Sequence, residues 1–285
     1  MFHLDFKIKS LVRIAIREDV GSGDITTHAL IPKTLRARGV IVAKSRGILA
    51  GQAAASEVFR AVDPSLKLKW RKKDGAVLKS GGTVCLVSGR AASILKAERV
   101  ALNFLSHLSG VASLTHEFVQ KIKGTKAKIY DTRKTIPLWR SLEKYAVRAG
   151  GGTNHRIGLW DQGFVKDNHW ELIQDAGKIA RTIQKSKAKR WIVEISKNNL
   201  GALETILKGK PGVILLDNFS SIELEGIVKS IRRRSKNVLI EASGGIRLQN
   251  VRQIAKTGVD RISIGAITHS VPAIDFSLEI QKPVR

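Results

Sequence analysis

The sequence is short of five things, and each shortage narrows what the protein can be. It has one cysteine, Cys85, so neither an internal disulfide nor a Cys-rich metal site can form, and a reducing cytoplasm is the expected compartment. It has two tyrosines and eight phenylalanines, with no zinc-finger spacing and no Lys/Arg-Gly-Phe run, so the usual apparatus for stacking bases is missing. No apolar run approaches the roughly 20 residues that span a bilayer, so no membrane partner is expected. The start, Met1-Phe2-His3-Leu4-Asp5, lacks the basic-then-apolar order of a secretory signal. Finally, acids are scarce. Against 50 Lys+Arg stand 24 Asp+Glu, a formal net charge of +26 in 285 residues. Such a surplus attracts phosphate backbones non-specifically, but the composition favours a basic surface around anionic small-molecule chemistry over nucleic-acid binding as the main function.

What is present is a folded chain, 43% hydrophobic, long enough for one large domain or two smaller ones. Its first hundred or so residues mix short helices and strands. Apolar residues at helical spacing run from Phe6 to Glu18, Gly21-Ser22-Gly23-Asp24 breaks them, and Leu66-Lys67-Leu68-Lys69-Trp70 alternates as a half-exposed strand should. Ala53 to Val62 reads as a helix, and Ile94 to Ile122 as a long helical stretch broken near Ser109-Gly110. From Lys128 the rhythm changes. Six apolar runs, at 128–130, 163–165, 191–193, 213–216, 238–240 and 261–264, each end in polar, charged or glycine residues. Helical patterns at 171–185, 200–207, 222–231 and 248–257 separate the last five. Strand intervals of roughly 22 to 28 residues suit right-handed βα units. Functional residues at strand C-terminal ends point to a (β/α) barrel, and six strands instead of eight predict an incomplete one. A doubly wound open sheet is the rival, but it would want its glycine-rich turn after the first strand.

The strand ends crowd cations: Arg133, Lys134, His155, Arg156 and Lys166, with Arg140 and Lys144 nearby in sequence. Like charges in one concave site repel, which makes sense for a strongly anionic ligand gripped by guanidinium forks and compact ammonium groups. Ser243-Gly244-Gly245, before a helix expected near Leu248, reads as a phosphate cradle, and Gly265-Ala266 after the next strand would complete it. Asp217 and Glu194, also at strand ends, suit a sugar hydroxyl or a Mg²⁺-bound water. No Gly-x-Ser-x-Gly elbow and no His-x-x-x-His spacing occurs, so a serine-nucleophile triad and a zinc site are not supported.

These residues carry a resemblance. Glu18-Asp19-Val20-Gly21-Ser22-Gly23-Asp24-Ile25-Thr26-Thr27, Ala97-Glu98-Arg99-Val100-Ala101-Leu102-Asn103, Asp131-Thr132-Arg133-Lys134-Thr135, Glu143-Lys144-Tyr145-Ala146-Val147, Asn154-His155-Arg156, Lys166-Asp167-Asn168-His169, Leu216-Asp217-Asn218-Phe219, Glu241-Ala242-Ser243-Gly244-Gly245 and Gly265-Ala266-Ile267-Thr268-His269 follow one another along the chain. In this order the sequence resembles the carboxylating nicotinate-nucleotide pyrophosphorylases, or quinolinate phosphoribosyltransferases. The resemblance implies an α/β fold: an N-terminal open α/β sandwich over residues 1–110, on which the tail 271–285 would pack back, and an irregular α/β barrel over 111–270. It implies that quinolinate and phosphoribosyl pyrophosphate (PRPP) give nicotinate mononucleotide, pyrophosphate and CO2, with Mg²⁺, in de novo NAD biosynthesis. It implies a homodimer or higher homo-oligomer with shared sites, Arg99 reaching in from the neighbour. Arg133, His155 and Arg156 then match the quinolinate cations, together with Thr132 of the same motif. Lys134 and Lys166 match lysines near both substrates, and Asp217 a ribose and Mg²⁺ position, so that Lys134, Lys166 and Asp217 are the expected catalytic group. Ser243, Gly244, Gly245, Gly265 and His269 match phosphate-handling segments.

One position departs from the family pattern. Where Glu-Val-Glu is usual, the run here is Glu194-Ile195-Ser196, so an uncharged hydroxyl stands at the second acid. That change, and Trp139, Trp160 and Trp170 near the motifs, leave open a paralogue of the kind linked to molybdenum transport genes, acting on another acceptor. A basic nucleic-acid-binding protein on the same scaffold is a third reading, motivated by six basic residues in 178–190 and five in 229–236.

Overall fold

The computed structural model describes residues 6–186 and 191–281. Of the basic run in 178–190, Lys187, Lys189 and Arg190 therefore lie outside the described residues. In chain order the elements are α1 (Phe6–Val20), α2 (Ile25–Leu30), β1 (Arg36–Ala43), β2 (Gly47–Ile48), α3 (Gln52–Val62), β3 (Lys67–Trp70), β4 (Val77–Leu78), β5 (Gly82–Arg90) and a long α4 (Ala91–Lys121). Then come β6 (Lys128–Tyr130), α5 (Arg140–Ala149), β7 (Phe164–Val165), α6 (Asp167–Ile173), α7 (Ala176–Lys185), β8 (Ile192–Ile195), a 3₁₀ turn (Lys197–Ala202) and α8 (Leu203–Lys208). β9 (Val213–Asp217), α9 (Ser221–Arg234), β10 (Leu239–Ser243), α10 (Val251–Lys256), β11 (Arg261–Ser263), α11 (Ala266–His269) and β12 (Phe276–Gln281) complete the chain.

Two compact units emerge. The first holds the described residues up to His116, Ile136–Gly151, and those from Ser270 on; the second holds Glu117–Thr135 and Gly152–His269. The expected boundary at residue 110 does not fall in a loop, because α4 runs straight through it. Nor does α4 break at Ser109-Gly110. Those two residues are small because neighbours press on them: the Ser109 hydroxyl bonds both the N–H and the C=O of Ala50, and a Cβ on Gly110 would sit 2.4 Å from the Pro272 carbonyl oxygen. Close approach, rather than helix breaking, explains the pair. The segment 136–151 also groups with the first unit, and takes Arg140 and Lys144 with it.

The first unit is built on an antiparallel sheet in the order β12-β1-β5-β3. Its period-two pattern holds in β3, where Lys67 and Lys69 are exposed and Leu68 and Trp70 half-buried. The tail strand β12 pairs with β1 from Arg38↔Gln281 to Ala43↔Phe276.

The second unit is a six-stranded parallel sheet, β6-β11-β10-β9-β8-β7. The six strands are those the apolar runs predict. Their near-continuous hydrophobicity is what a sheet covered on both faces requires: Val213 to Leu216 are all buried. β6 and β7 stand at the two edges, so the barrel is incomplete. The register stacks inward-facing residues in layers. Phe164, Ile192, Val213 and Leu239 form one layer; Glu194, Leu215, Glu241 and Arg261 the next; Asp217 and Ser243 pair above them. The helix expected over 171–185 is two helices. Gln174, at φ 49°, ends α6, and the Asp175 carboxylate starts α7 by accepting the Lys178 N–H at 2.9 Å.

Candidate active site

The site residues of the second unit gather at the C-terminal ends of its strands, on two sides. The cation side starts from β6. Asp131, fully buried, accepts the His155 backbone N–H at 2.7 Å and the Asn154 amide at 2.6 Å. One carboxylate thus ties the strand end to the Asn154-His155-Arg156 loop. Beyond it the Thr132 hydroxyl accepts the Lys134 N–H at 3.0 Å, a local turn of the kind threonine favours. Lys134 is held again from below: its carbonyl accepts the Thr268 hydroxyl at 2.6 Å. A Cβ on Gly265 would lie 2.9 Å from His269 Nε2 and 3.2 Å from Lys134 Cδ, so Lys134, Gly265 and His269 meet at one point, and a side chain at 265 would push the other two aside.

Phe164 organises the remaining cations. The Arg156 guanidinium and the Lys166 ammonium each lie 4.9 Å from its ring centroid, and the His155 ring stacks on it at 5.7 Å. Cation–π contact eases the crowding of like charges. The crowding is nonetheless felt. Burial, and then the Arg133 charge, pull the Arg156 guanidinium below its ordinary pKa, while Asp161 acts the other way. Arg156 also donates to the Gln162 carbonyl at 2.7 Å.

The acid side lies on β8 and β9. Burial, then the charges of Asp217 and Asp167, push the Glu194 carboxyl up to about 7, with Lys166 and an Asp167 backbone hydrogen bond opposing. Three acids and one lysine therefore share a neighbourhood. Asp217 accepts the Asn218 amide at 2.6 Å. Ser196 sits beyond the end of β8, where its N–H donates to Asn199 Oδ1 at 2.8 Å, and Glu194 lies one layer deeper than Asp217. Among the described residues no group of three or more His, Cys, Asp or Glu side chains could hold a metal ion alone. One or two carboxylates fit Mg²⁺ only as it usually binds, with substrate phosphates supplying further oxygens.

The glycine turn differs from expectation. Gly244 and Gly245 have φ of 85° and 60°, a left-handed path that leaves backbone N–H groups free to curl around an anion. A Cβ on Gly244 would meet Asn218 Oδ1 at 2.1 Å. However, α10 begins only at Val251, because Asn250 spends its side chain on the Arg247 N–H and the Gly245 carbonyl. The turn therefore makes its cradle without a helix N-terminus. Arg99 is exposed on α4 in the first unit. Sequence reasoning missed Phe164, which reads as an ordinary strand residue, and assigned no role to Asp131 or Glu241, although both lie inside the quoted motifs.

Known proteins match along most of the length. Residues 24–109 match the family profile for the quinolinate phosphoribosyl transferase N-terminal domain, and 111–279 that for its C-terminal domain. The carboxylating nicotinate-nucleotide pyrophosphorylase of Mycobacterium leprae is 40% identical over 277 residues, 95% of this chain and 96% of its own. A probable enzyme of the same name from Methanocaldococcus jannaschii is also 40% identical, over 97% and 98%. The structure of the nicotinate-nucleotide pyrophosphorylase from Francisella tularensis superposes with a TM-score of 0.90 at 38% identity, covering 98% of each chain.

Proposed function

The chain belongs to the quinolinate phosphoribosyl transferase family, and on that premise we propose how its own residues carry the reaction. The enzyme is a decarboxylating phosphoribosyltransferase of NAD biosynthesis: quinolinate and PRPP give nicotinate mononucleotide, pyrophosphate and CO2. The quinolinate nitrogen attacks C1 of the ribose, the C1–O bond to pyrophosphate breaks, and the carboxylate beside the nitrogen leaves as CO2. The carbanion left behind takes a proton.

The observation that carries this reading is the opposition of the two sides. Arg156 and His155, gathered over Phe164, face a dicarboxylate together with Arg133, whose charge is felt at Arg156, and Arg156 supplies a planar fork matched to one carboxylate. Lys134 and Lys166 hold positive charge at the reacting centre, where the negative charge that develops on the ring carbon as CO2 leaves is stabilised without reorganisation. The Ser243-Gly244-Gly245 turn, with Gly265 and His269, receives the 5-phosphate. Asp217, with Glu194 below and the Ser196 hydroxyl, positions the ribose hydroxyls. Mg²⁺ bound with PRPP would be held through Asp217 and Glu194, and supplies neutralisation of the leaving pyrophosphate. The functional unit is a homodimer in which Arg99 serves the partner's site, and the buried, solitary Cys85 suits a reducing cytoplasm.

The test is direct. Pure protein with quinolinate, PRPP and Mg²⁺ is expected to form nicotinate mononucleotide, and absence of product redirects the assignment to another acceptor. Arg99→Ala and Lys134→Ala proteins, each inactive alone, are expected to recover activity when mixed; no recovery after confirmed subunit exchange removes the shared site.

A further inference from the structure

Glu241 is the least expected carboxylate in the second unit. It is 0% exposed, in the middle of β10, between Leu215 of β9 and Arg261 of β11. Neither of its oxygens has a hydrogen-bond partner. A buried acid so placed is costly and calls for an explanation. Two basic side chains flank it without bonding it squarely: His155 Nε2 stands 3.3 Å from one oxygen and Arg261 3.9 Å from the other. Arg261 is turned aside, its guanidinium 4.8 Å from the Tyr130 ring centroid.

The His155 contact leads to the substrate. Nδ1 of the same ring accepts the backbone N–H of Arg156 at 2.9 Å. Because Nδ1 accepts, the neutral ring carries its proton on Nε2, the nitrogen aimed at Glu241. The ring is thus held at Nδ1 and turned toward Glu241 at Nε2, with Phe164 stacked on it. Contacts that orient a functional side chain in this way are often loose until substrate closes the site. We propose that Glu241 is a positioning residue: acting through Nε2 of His155, it fixes the ring whose Nδ1 holds the Arg156 backbone, and so aims Arg156 at a quinolinate carboxylate. The inference rests on the substrate reading given above.

The experiment uses the full chain. E241Q keeps the shape and removes the charge. It is expected to raise KM for quinolinate about tenfold or more while KM for PRPP stays within about threefold, a split that general loosening of the fold would not produce. The ¹⁵N resonances of His155 are expected to shift in the ligand-free variant. In a His155→Asn background the further effect of E241Q on KM for quinolinate is expected to fall below about twofold, the mark of two residues acting as one unit. An E241Q protein with wild-type KM and wild-type His155 resonances overturns the proposal, as does a fully multiplicative effect in the His155→Asn background. If E241Q does not fold, Glu241→Asp is read in the same way, and unchanged KM and resonances overturn the proposal there too. A wild-type protein that makes no nicotinate mononucleotide would sink the substrate reading alone, since the His155 resonances report the Glu241 contact without turnover.

Discussion

Asp63 and Glu241 are both buried carboxylates, 1% and 0% exposed, one in each unit, and they are treated in opposite ways. Asp63 accepts four hydrogen bonds: Arg90 Nε at 2.8 Å and the Ser93 hydroxyl at 2.7 Å on one oxygen, the Ser65 N–H at 3.0 Å and hydroxyl at 2.7 Å on the other. Glu241 accepts none. A satisfied buried charge serves the fold, and an unsatisfied one is a cost tolerated for another reason. The first unit satisfies its buried acid with hydrogen bonds; the second keeps one without them, flanked by His155 and Arg261.

Four substitutions would break or sharpen that contrast. Arg156→Ala removes a fork from the cation side, and kcat/KM is expected to fall about 10²- to 10³-fold, with little change in the urea midpoint; a matching loss of stability would erase the distinction between the units. Asp63→Asn should do the reverse, costing about 2 kcal/mol in urea unfolding with kinetic constants unchanged in the folded enzyme. The Arg90 hydrogen bond, followed by those of Ser65, holds the Asp63 carboxyl far below its usual 3.8. Its stabilisation is therefore complete above that pH, shrinks as pH falls below it, and vanishes only beneath the depressed folded value. The gap between wild type and Asp63→Asn is expected to close over the same acid range.

Glu194 has the opposite sign. Its folded pKa, about 7, lies above the ordinary 4.5, so the cost of charging it grows as pH rises from 4.5 and is fully present above 7. Without substrate or metal, Glu194→Gln is expected to stabilise the protein by about 1 kcal/mol at pH 8, after allowance for partial solvation, and by nothing near pH 4. An equal gain at both pH values would contradict the acid cluster. The smallest effect belongs to Ser196→Glu, expected to raise PRPP affinity or rate about threefold by restoring an acid beside Asp217; steady-state kinetics showing no change, or a loss, would refute it.

Much of this could be read from the chain. A parallel strand such as β9 is nearly continuous in apolar residues because both its faces are covered, and polar residues come just where such a run stops, so Arg133, Lys166 and Asp217 stand out as strand ends. Phe164 does not, because nothing local separates a ring that fills a barrel layer from one that carries two cations and a stacked imidazole. The start of α10 was misplaced because Asn250 competes for the backbone around Gly245. The continuity of α4 was hidden because a Ser-Gly pair reads as a breaker until Ala50 and Pro272 are seen against it.

By itself the sequence determined the strand rhythm, the family, and the anionic character of the ligand, all of which depend on residue type and spacing along the chain. Only the tertiary structure decided which charges meet. It placed Arg140 and Lys144 with the first unit, set Arg156, Lys166 and His155 on one ring, and buried Glu241 against His155. Coulomb energy and desolvation depend on distance through space and on water excluded from both sides of a group, and neither quantity exists until the strands have paired.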